Sequence, residues 1–521
     1  MEPTTRLFRL PLPARMLAAA AGVRPWALGR RCVSSAAGSP VADFVDALEG
    51  AERRVPEWYN PEFVKLHEKV VQYLPSASLE GELLPLMKAV SAMHGFGLSE
   101  LVSAIETRLI SLLEGLHAPS LDRATFVRLL LLLASSSEAP GVMSSKLREC
   151  LEAEALVHIA SYLKPSDGET LMSLAAMIIG CSQLSLSSLP LATAVQEVID
   201  ERVGDLQEAL DMRMLVHTEL AAANLGAGRG TGYSRLMSFF CAQQLDDLEN
   251  IANLLLIQAT TRSSHLALTA QLISSLDSVL AREDDGDGGE EQEDQSSHAL
   301  TALWSLVALG HGQNLDPEGK LPGTISSLLA MATTWQCLDD PKMERQLQQL
   351  CLNFVLEHGE KPEVSSQVPP MPDCVARAGL KSKDWQNIWS SFALADDAAV
   401  EESSVAFGEL VSSIEGEVED TLETLPEIDT TYSPTWKAEL VSKFYGKDRL
   451  FADKFGDVFI HVDCGPAWLE EPLDPYAQLL HRHVRLAGMH VERLRVSDWI
   501  EMNDGEKKQM VTEWLEAAQQ E

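Results

Sequence analysis

The sequence predicts a mainly α-helical protein, an irregular solenoid of helical hairpins followed by a small C-terminal α/β domain. Three observations predict this class. Apolar residues recur at helical spacing from residue 60 to about residue 360. Related hairpin units begin at intervals of roughly forty residues, a period typical of helical repeat proteins. Residues 457–515 have the pattern of strand, turn, helix, strand and helix.

The first 42 residues differ in composition from the rest of the chain. They contain one acid, no lysine and six arginines, namely Arg6, Arg9, Arg15, Arg24, Arg30 and Arg31. An Arg-rich and acid-poor start is typical of a mitochondrial transit peptide. We therefore predict a transit peptide over 1–42 and a location in the mitochondrial matrix, with a plastid as the alternative. The apolar stretches here are too short to predict a membrane span.

Residues 43–360 are predicted to form the helical-hairpin body. Its units begin near Leu84, Phe126, Leu171, Met214, Asn250 and His298. The segment 98–113 shows the spacing best, with a predicted apolar stripe of Leu98, Leu101, Val102, Ile105, Leu109 and Leu112. An irregular helical bundle is the alternative to a solenoid. The acidic, glycine-containing stretch 283–295 is predicted to be a disordered insertion.

Charge and cysteine content limit the function classes. The chain has 41 Lys and Arg against 77 Asp and Glu, for a net charge of −36. Such acidity disfavours a broad phosphate-binding surface and favours protein partners with at most one local nucleic-acid site. The eight cysteines form no Cys-x-x-Cys pair, so no structural zinc site or other metal or cofactor is predicted. Residues 361–432 are rich in Pro and acids and are predicted to be a linker with short helices.

Residues 433–521 form the predicted α/β domain. The alternation of 457–463 predicts a strand, and Gly465 and Pro466 predict the turn that ends it. Gly488 is the predicted end of the following helix, and a second strand covers 491–496. A strand, helix and strand joined in this way favour parallel pairing. Asn503 and Glu506 have the spacing of a capping box that opens a last helix.

This segment resembles a RAP domain, a short module that follows helical RNA-binding regions in mitochondrial and plastid proteins. The resemblance is carried by Val462-Asp463-Cys464-Gly465-Pro466, Trp468, the helix 479–486, Gly488, the strand 491–496 and Asp498-Trp499. Upstream, SPTWKAELVSKFYG (433–446) resembles the helix that opens the family's domain. The helical body resembles those of FAST-kinase-like and octotricopeptide proteins in pattern only, and no kinase motif is present.

RAP domains are similar to a restriction-endonuclease-like fold that binds a metal through an Asp and a downstream Glu-x-Lys. Here Asp463 matches the Asp, but no Glu-x-Lys follows in the expected strand, and Cys464 is inserted before Gly465. The resemblance therefore implies a non-catalytic RNA-binding protein that acts in organellar RNA processing, stability or ribosomal RNA assembly. One alternative is a scaffold subunit of a large mitochondrial complex such as the mitoribosome. A second alternative is an RNA endonuclease that uses Asp463.

Basic residues are concentrated on the predicted helix and second strand of this domain. Those predicted to contact RNA are His481, Arg482, His483, Arg485, Arg493 and Arg495. Guanidinium groups bind phosphates with two hydrogen bonds and stack on bases, which suits RNA. The alternative is a solvated surface that pairs with acids of this chain or of a protein partner. Trp499 and Trp514 are predicted to be core residues rather than base-stacking platforms.

Overall fold

A computed structural model describes these residues: 39–51, 61–91, 99–114, 121–136, 143–164, 168–186, 188–228, 230–261, 265–283, 291–311, 315, 318–332, 341–361, 368–392, 413–414, 416–418, 420–421, 435–445, 458–463 and 475–518. Contacts divide the chain into two compact units, with the boundary between Tyr233 and Ser234. The chain is mainly helical, as predicted, and the described strands form one two-stranded sheet near the C-terminus.

The first unit consists of paired helices. They are α1 (Pro40–Ala51), α2 (Pro61–Tyr73), α3 (Leu84–Ser91), α4 (Ser99–Glu114), α5 (Arg123–Ser136), α6 (Ser145–Ala160), α7 (Gly168–Gln183), α8 (Leu189–Ala209) and α9 (Met212–Asn224). Helices α1, α3, α5, α7 and α9 pack one on the next in a row, and α2, α4, α6 and α8 pack in the same way. Each helix thus contacts the second helix along the chain. A helix α10 (Thr231–Cys241) follows at the boundary.

Helix α4 shows how the apolar pattern becomes a core. Leu101, Ile105, Leu109 and Leu113 are buried, whereas Val102 is 38% exposed. The members of the buried stripe are therefore spaced four residues apart. Leu113 was not among the predicted members, whereas Val102 and Leu112 were. Four residues exceed one helical turn only slightly, so such positions share a face. The remaining predicted member, Leu98, lies outside the described residues.

The predicted N-terminal boundary at residue 42 falls inside a helix. Helix α1 begins at Pro40, and Val41 and Phe44 are buried in the first unit. Proline suits the first helical position because the backbone N–H that it lacks would have no partner there. Residues 39–42 therefore belong to the folded unit. The rest of the predicted transit peptide, residues 1–38, lies outside the described residues.

The glycine-rich turn near residue 230 packs closely on α8. The backbone N–H of Gly232 donates to the Asp200 carboxylate. A Cβ atom at Gly232 would lie 2.9 Å from the Asp200 Cα, so a larger side chain does not fit. The turn therefore packs tightly on α8, next to the Asp200 carboxylate. An acidic neighbour disfavours phosphate, in line with the absence of a phosphate-loop motif.

The second unit contains the remaining elements. They are α11 (Leu248–Thr261), α12 (Leu266–Glu283), α13 (Glu291–Ala308), α14 (Gly323–Ala332), α15 (Pro341–His358), α16 (Asp373–Arg377), α17 (Ser382–Phe392), α18 (Trp436–Tyr445), β1 (Val458–Asp463), α19 (Pro475–Leu486), β2 (His490–Arg495), α20 (Val496–Glu501) and α21 (Asp504–Ala518). Helices α11, α13 and α15 pack in a row, with α12 and α14 beside them.

The stretch predicted to be a disordered insertion and the stretch predicted to be a linker with short helices both contain packed helices. Helix α13 begins at Glu291, so the predicted disordered insertion 283–295 is helical from residue 291 onward. Within the predicted linker 361–432, α16 and α17 pack on α15. The buried indole of Trp385 donates from Nε1 to the Pro369 carbonyl at 2.8 Å. This segment folds because its few apolar residues are placed together on one face.

Strands β1 and β2 pair in parallel, as predicted. The register aligns Phe459 with Val491, His461 with Arg493 and Asp463 with Arg495. Helix α19 connects the two strands and packs on β2. A parallel connection of this kind needs a crossover, which α19 provides. We call β1, α19, β2, α20 and α21 the C-terminal module.

Candidate nucleic-acid interface

One face of the sheet packs on an apolar core. This core contains Ile414, Val418, Ile460, Leu494, Val496, Trp499, Val511 and Trp514. Trp499 is fully buried, and its Nε1 donates to Glu417 Oε2 at 3.0 Å. Lys507 donates to the same carboxylate at 2.6 Å, and its hydrogen bond holds the pKa of Glu417 below the usual range. The interpretation of Trp499 and Trp514 as core residues is confirmed.

A glycine and two local backbone hydrogen bonds end helix α19. Gly488 has a φ of +82°, which glycine adopts without steric cost. The Gly488 N–H donates to the Arg485 carbonyl, and the Met489 N–H donates to the Val484 carbonyl. These two bonds form a Schellman motif, in which the last helical carbonyls find donors beyond the helix end. The predicted end of the helix at Gly488 is confirmed.

One side of α19 packs on the helices of the same unit through polar contacts. Gln478 donates to the Ala259 carbonyl at 2.7 Å, and Tyr476 accepts from the Arg345 guanidinium. Arg482 forms an ion pair with Glu357 and donates to the Val307 carbonyl at 3.1 Å. These contacts connect α19 to α11, α13 and α15. The helix is therefore a docking element as well as a crossover.

Arg482 and His483 were both predicted to contact RNA, and the structure places both in this docking surface. The Arg482 side chain is 15% exposed and its partner Glu357 is 5% exposed. The His483 ring is fully buried, and its Nδ1 lies 2.8 Å from the Tyr445 hydroxyl. The His483 ring therefore has no exposed surface for a phosphate, and the Arg482 guanidinium is bonded to Glu357 and to the Val307 carbonyl. The RNA contact predicted for these two residues stays a prediction, and in this structure both side chains are engaged in internal contacts.

The environment of His483 keeps its ring neutral. Burial lowers the pKa of His483 to about 3, and the charge of Arg482 acts in the same direction. The hydroxyl of Tyr445 also contacts Gln349, which accepts in turn from Trp304. A neutral ring suits this network, since a charged imidazole there would lose its hydration without gaining an anionic partner.

His483 is expected to make the second unit sensitive to acid. Its pKa is lower in the folded chain than in the unfolded chain, so its contribution to stability is complete above about pH 6.5. That contribution is lost as the pH falls toward about 3, by at most about 1.4 kcal/mol per pH unit. Urea unfolding at neutral pH and at about pH 5 should show a smaller difference for His483→Asn than for the wild type. An equal difference for both proteins would exclude His483 as the sensor.

The other face of the sheet carries the remaining predicted residues. His481, on α19, places its Nε2 2.9 Å from Nδ1 of His461, on β1. The ring centroids are 4.9 Å apart and the planes are nearly perpendicular. Arg493 is the register partner of His461, so the two residues lie side by side on one face. Arg485 is exposed one helical turn beyond His481.

We call His461, His481, Arg485, Arg493 and Arg495 the basic face. His461 was not among the residues predicted to contact RNA, because it lies twenty positions before His481 and outside the basic cluster in the sequence. A signal was present, since a histidine in an otherwise apolar strand is unusual. The register brings Asp463 opposite Arg495 at the end of both strands. The Asp463 side chain lies outside the described part of the structure.

The described residues also bear on metal binding and on membrane insertion. Among these residues, no group of three or more His, Cys, Asp or Glu side chains is arranged to hold a metal ion. Within the same residues, no helix combines the length and the apolar character needed to cross a bilayer.

Fold and site together define a mainly helical protein with a small parallel α/β module that carries a cluster of basic residues. A comparison with protein-family models finds no match, and a search of curated proteins also finds none.

Proposed function

We propose that this chain is a non-catalytic RNA-binding protein of the mitochondrial matrix, with a role in RNA processing, stability or ribosomal RNA assembly. The basic face carries this proposal. It gathers three arginines and two histidines in one small module of a chain whose net charge is −36. A local cluster of this kind suits a local phosphate contact, whereas the acidity of the whole chain opposes nonspecific binding.

The order of elements supports the likeness to RAP domains. The described strands, crossover helix and final helix follow the order that the resemblance implies. The capping box is also formed, since Asn503 Oδ1 accepts from the Glu506 N–H and Glu506 accepts from the Asn503 N–H. The Arg-rich first 42 residues support the mitochondrial location, with a plastid as the alternative.

The packing of alternate helices supports a role for the body. In a solenoid of hairpins, each hairpin buries its apolar face only against its neighbours. The rows within the first unit have this arrangement. We propose that the body is an irregular solenoid that holds RNA or a protein partner along one surface. The irregular-bundle alternative differs in having no continuous surface of this kind.

Arg485→Glu in the full-length chain tests the proposal. Loss of one charge-assisted hydrogen bond costs about 1.5 to 3 kcal/mol, so RNA affinity should fall by about tenfold or more. The dependence of affinity on salt should also weaken, since fewer counterions are released. Affinity would be measured by fluorescence anisotropy with a labelled single-stranded RNA of mixed sequence.

Lys508→Glu is the matched control. Lys508 is an exposed base on α21, outside the basic face, and this reversal changes the net charge by the same amount. It should leave RNA affinity close to that of the wild type. Equal losses for both variants would show that net charge alone governs binding. Absence of RNA binding by the wild type would overturn the proposed function.

A scaffold function is the second candidate. It is favoured by the acidity of the chain, since a net charge of −36 suits protein partners better than a broad phosphate-binding surface. If the chain still cosediments with a large organellar complex after RNase treatment, the result would support a scaffold. If RNase treatment abolishes the cosedimentation, the result would support RNA binding. The endonuclease alternative predicts metal-dependent RNA cleavage that Asp463→Asn abolishes.

A further inference from the structure

The contact between His461 and His481 restricts how these two rings share protons. With 2.9 Å between Nδ1 of His461 and Nε2 of His481, one nitrogen must donate and the other must accept. The pair can therefore be neutral or can carry one extra proton. Two extra protons would place N–H groups on both facing nitrogens, and the hydrogen bond would be lost.

The two permitted states differ as partners for an anion. In the neutral pair, one of the two remaining ring nitrogens is a donor and the other is an acceptor. After uptake of one proton, both remaining nitrogens are donors and the pair carries one positive charge. The singly protonated pair is therefore the better partner for a phosphate, which offers only acceptors at neutral pH.

Neighbouring charges determine when this proton is taken up. Arg493 on β2 lies beside His461, and Arg485 lies one turn beyond His481 on α19. Both guanidinium charges oppose a further positive charge on the pair. Asp463, two positions further along β1, and Arg495, its register partner, alternate onto the same face of the strands as the pair. Glu492 alternates onto the opposite face, where His490 bonds to it at 2.8 Å. A bound phosphate would reverse the balance, because its negative charge favours the protonated pair.

We propose that the His461–His481 pair is a proton-coupled phosphate site, which takes up one proton when an RNA phosphate binds to the basic face. The inference depends on the proposed function and deepens it, since it adds a regulation of the same site by pH. RNA affinity should rise as the pH falls through the range in which histidines titrate. The slope should not exceed about tenfold per pH unit, because at most one proton is coupled.

The experiment measures proton uptake directly. The full-length chain is titrated with a single-stranded RNA oligonucleotide of mixed sequence in a calorimeter. Each titration uses two buffers of the same pH but different ionisation enthalpies, between about pH 5.5 and pH 8. The difference in heat between the buffers gives the number of protons exchanged. A value that approaches one proton taken up, together with affinity that rises toward acid pH, is the expected result.

Variants assign the proton to the pair. His461→Asn and His481→Gln each keep an amide near the bonded ring nitrogen but do not titrate. Both should lower the uptake to near zero and flatten the pH dependence. Arg485→Gln should weaken binding and retain proton uptake, with the range of uptake moved to higher pH because one opposing charge is removed. His490→Asn alters a histidine that bonds to Glu492 at 2.8 Å, and it should leave both quantities unchanged.

The outcomes separate the inference from the proposed function. RNA binding by the wild type without proton uptake overturns the inference alone. Uptake that persists in both pair variants also overturns it, since another group would then be responsible. No RNA binding at any pH overturns the proposed function and the inference with it. Wild-type calorimetry provides a decisive result even if a variant fails to fold.

Discussion

Arg482→Ala should destabilise the docking of α19 by about 3 to 5 kcal/mol, although its neighbour Arg485 tolerates the same change. The variant leaves Glu357, 5% exposed, as a buried charge without its arginine partner and with the His358 ring 3.5 Å away. Removal of one member of a buried ion pair typically has a cost of this size. Arg485 is exposed, and Arg485→Ala should change stability by no more than about 0.5 kcal/mol.

Hydrogen–deuterium exchange of the α19 amides measures this effect where it occurs, because local opening can be followed apart from the other unit. Protection should fall sharply in Arg482→Ala and remain in Arg485→Ala. The double variant Arg482→Met/Glu357→Leu should recover most of the loss, since apolar groups of similar volume often replace a buried pair without cost. Equal protection in all these proteins would contradict the docking role of Arg482.

Trp499→Ala should have an effect of similar size, about 3 to 5 kcal/mol, because it empties a large volume in the core. Trp499 is fully buried in the core of the C-terminal module. Trp499→Phe keeps most of the apolar contact and loses the hydrogen bond to Glu417, for which about 1 kcal/mol is expected. Urea unfolding, monitored through hydrogen exchange of the β1 and β2 amides, measures the loss of stability in both variants.

Ile500→Ala is the control for this prediction. Ile500 is the next residue along the chain and is 61% exposed, so its loss should change stability by no more than about 0.5 kcal/mol. If Trp499→Ala left stability unchanged but abolished RNA binding, Trp499 would be a base-stacking residue. The assignment of this side chain to the core would then be wrong.

Local patterns in the sequence predicted β1, α19, β2 and α21 of the C-terminal module, whereas α20 was not predicted. Gly488 marks the end of α19 because glycine alone adopts its backbone conformation freely, and Asn503 and Glu506 cap α21 through bonds within one turn. These signals act over a few residues. The parallel pairing followed from the strand–helix–strand order.

Boundaries between units were less predictable. The sequence placed a break after residue 360, yet α16 and α17 pack on α15 and the C-terminal module belongs to the same compact unit. Composition favoured a linker there because charged and Pro-rich stretches usually lack a core. Ile414 and Val418 nevertheless join the core around Trp499. A few apolar residues in an acidic stretch are enough when another element provides the rest of the core.

The sequence by itself determined the mainly helical class, the order of the two strands and their crossover helix, and the concentration of basic residues after Tyr476. Only the tertiary structure decided the role of each basic residue. Arg482 and Arg485 are the same chemical group one turn apart, and only packing against Glu357 makes one of them internal. His461 and His481 meet because β1 and α19 lie together in space. Periodicity and capping depend on neighbours along the chain, whereas burial and charge pairing depend on residues that are distant in sequence.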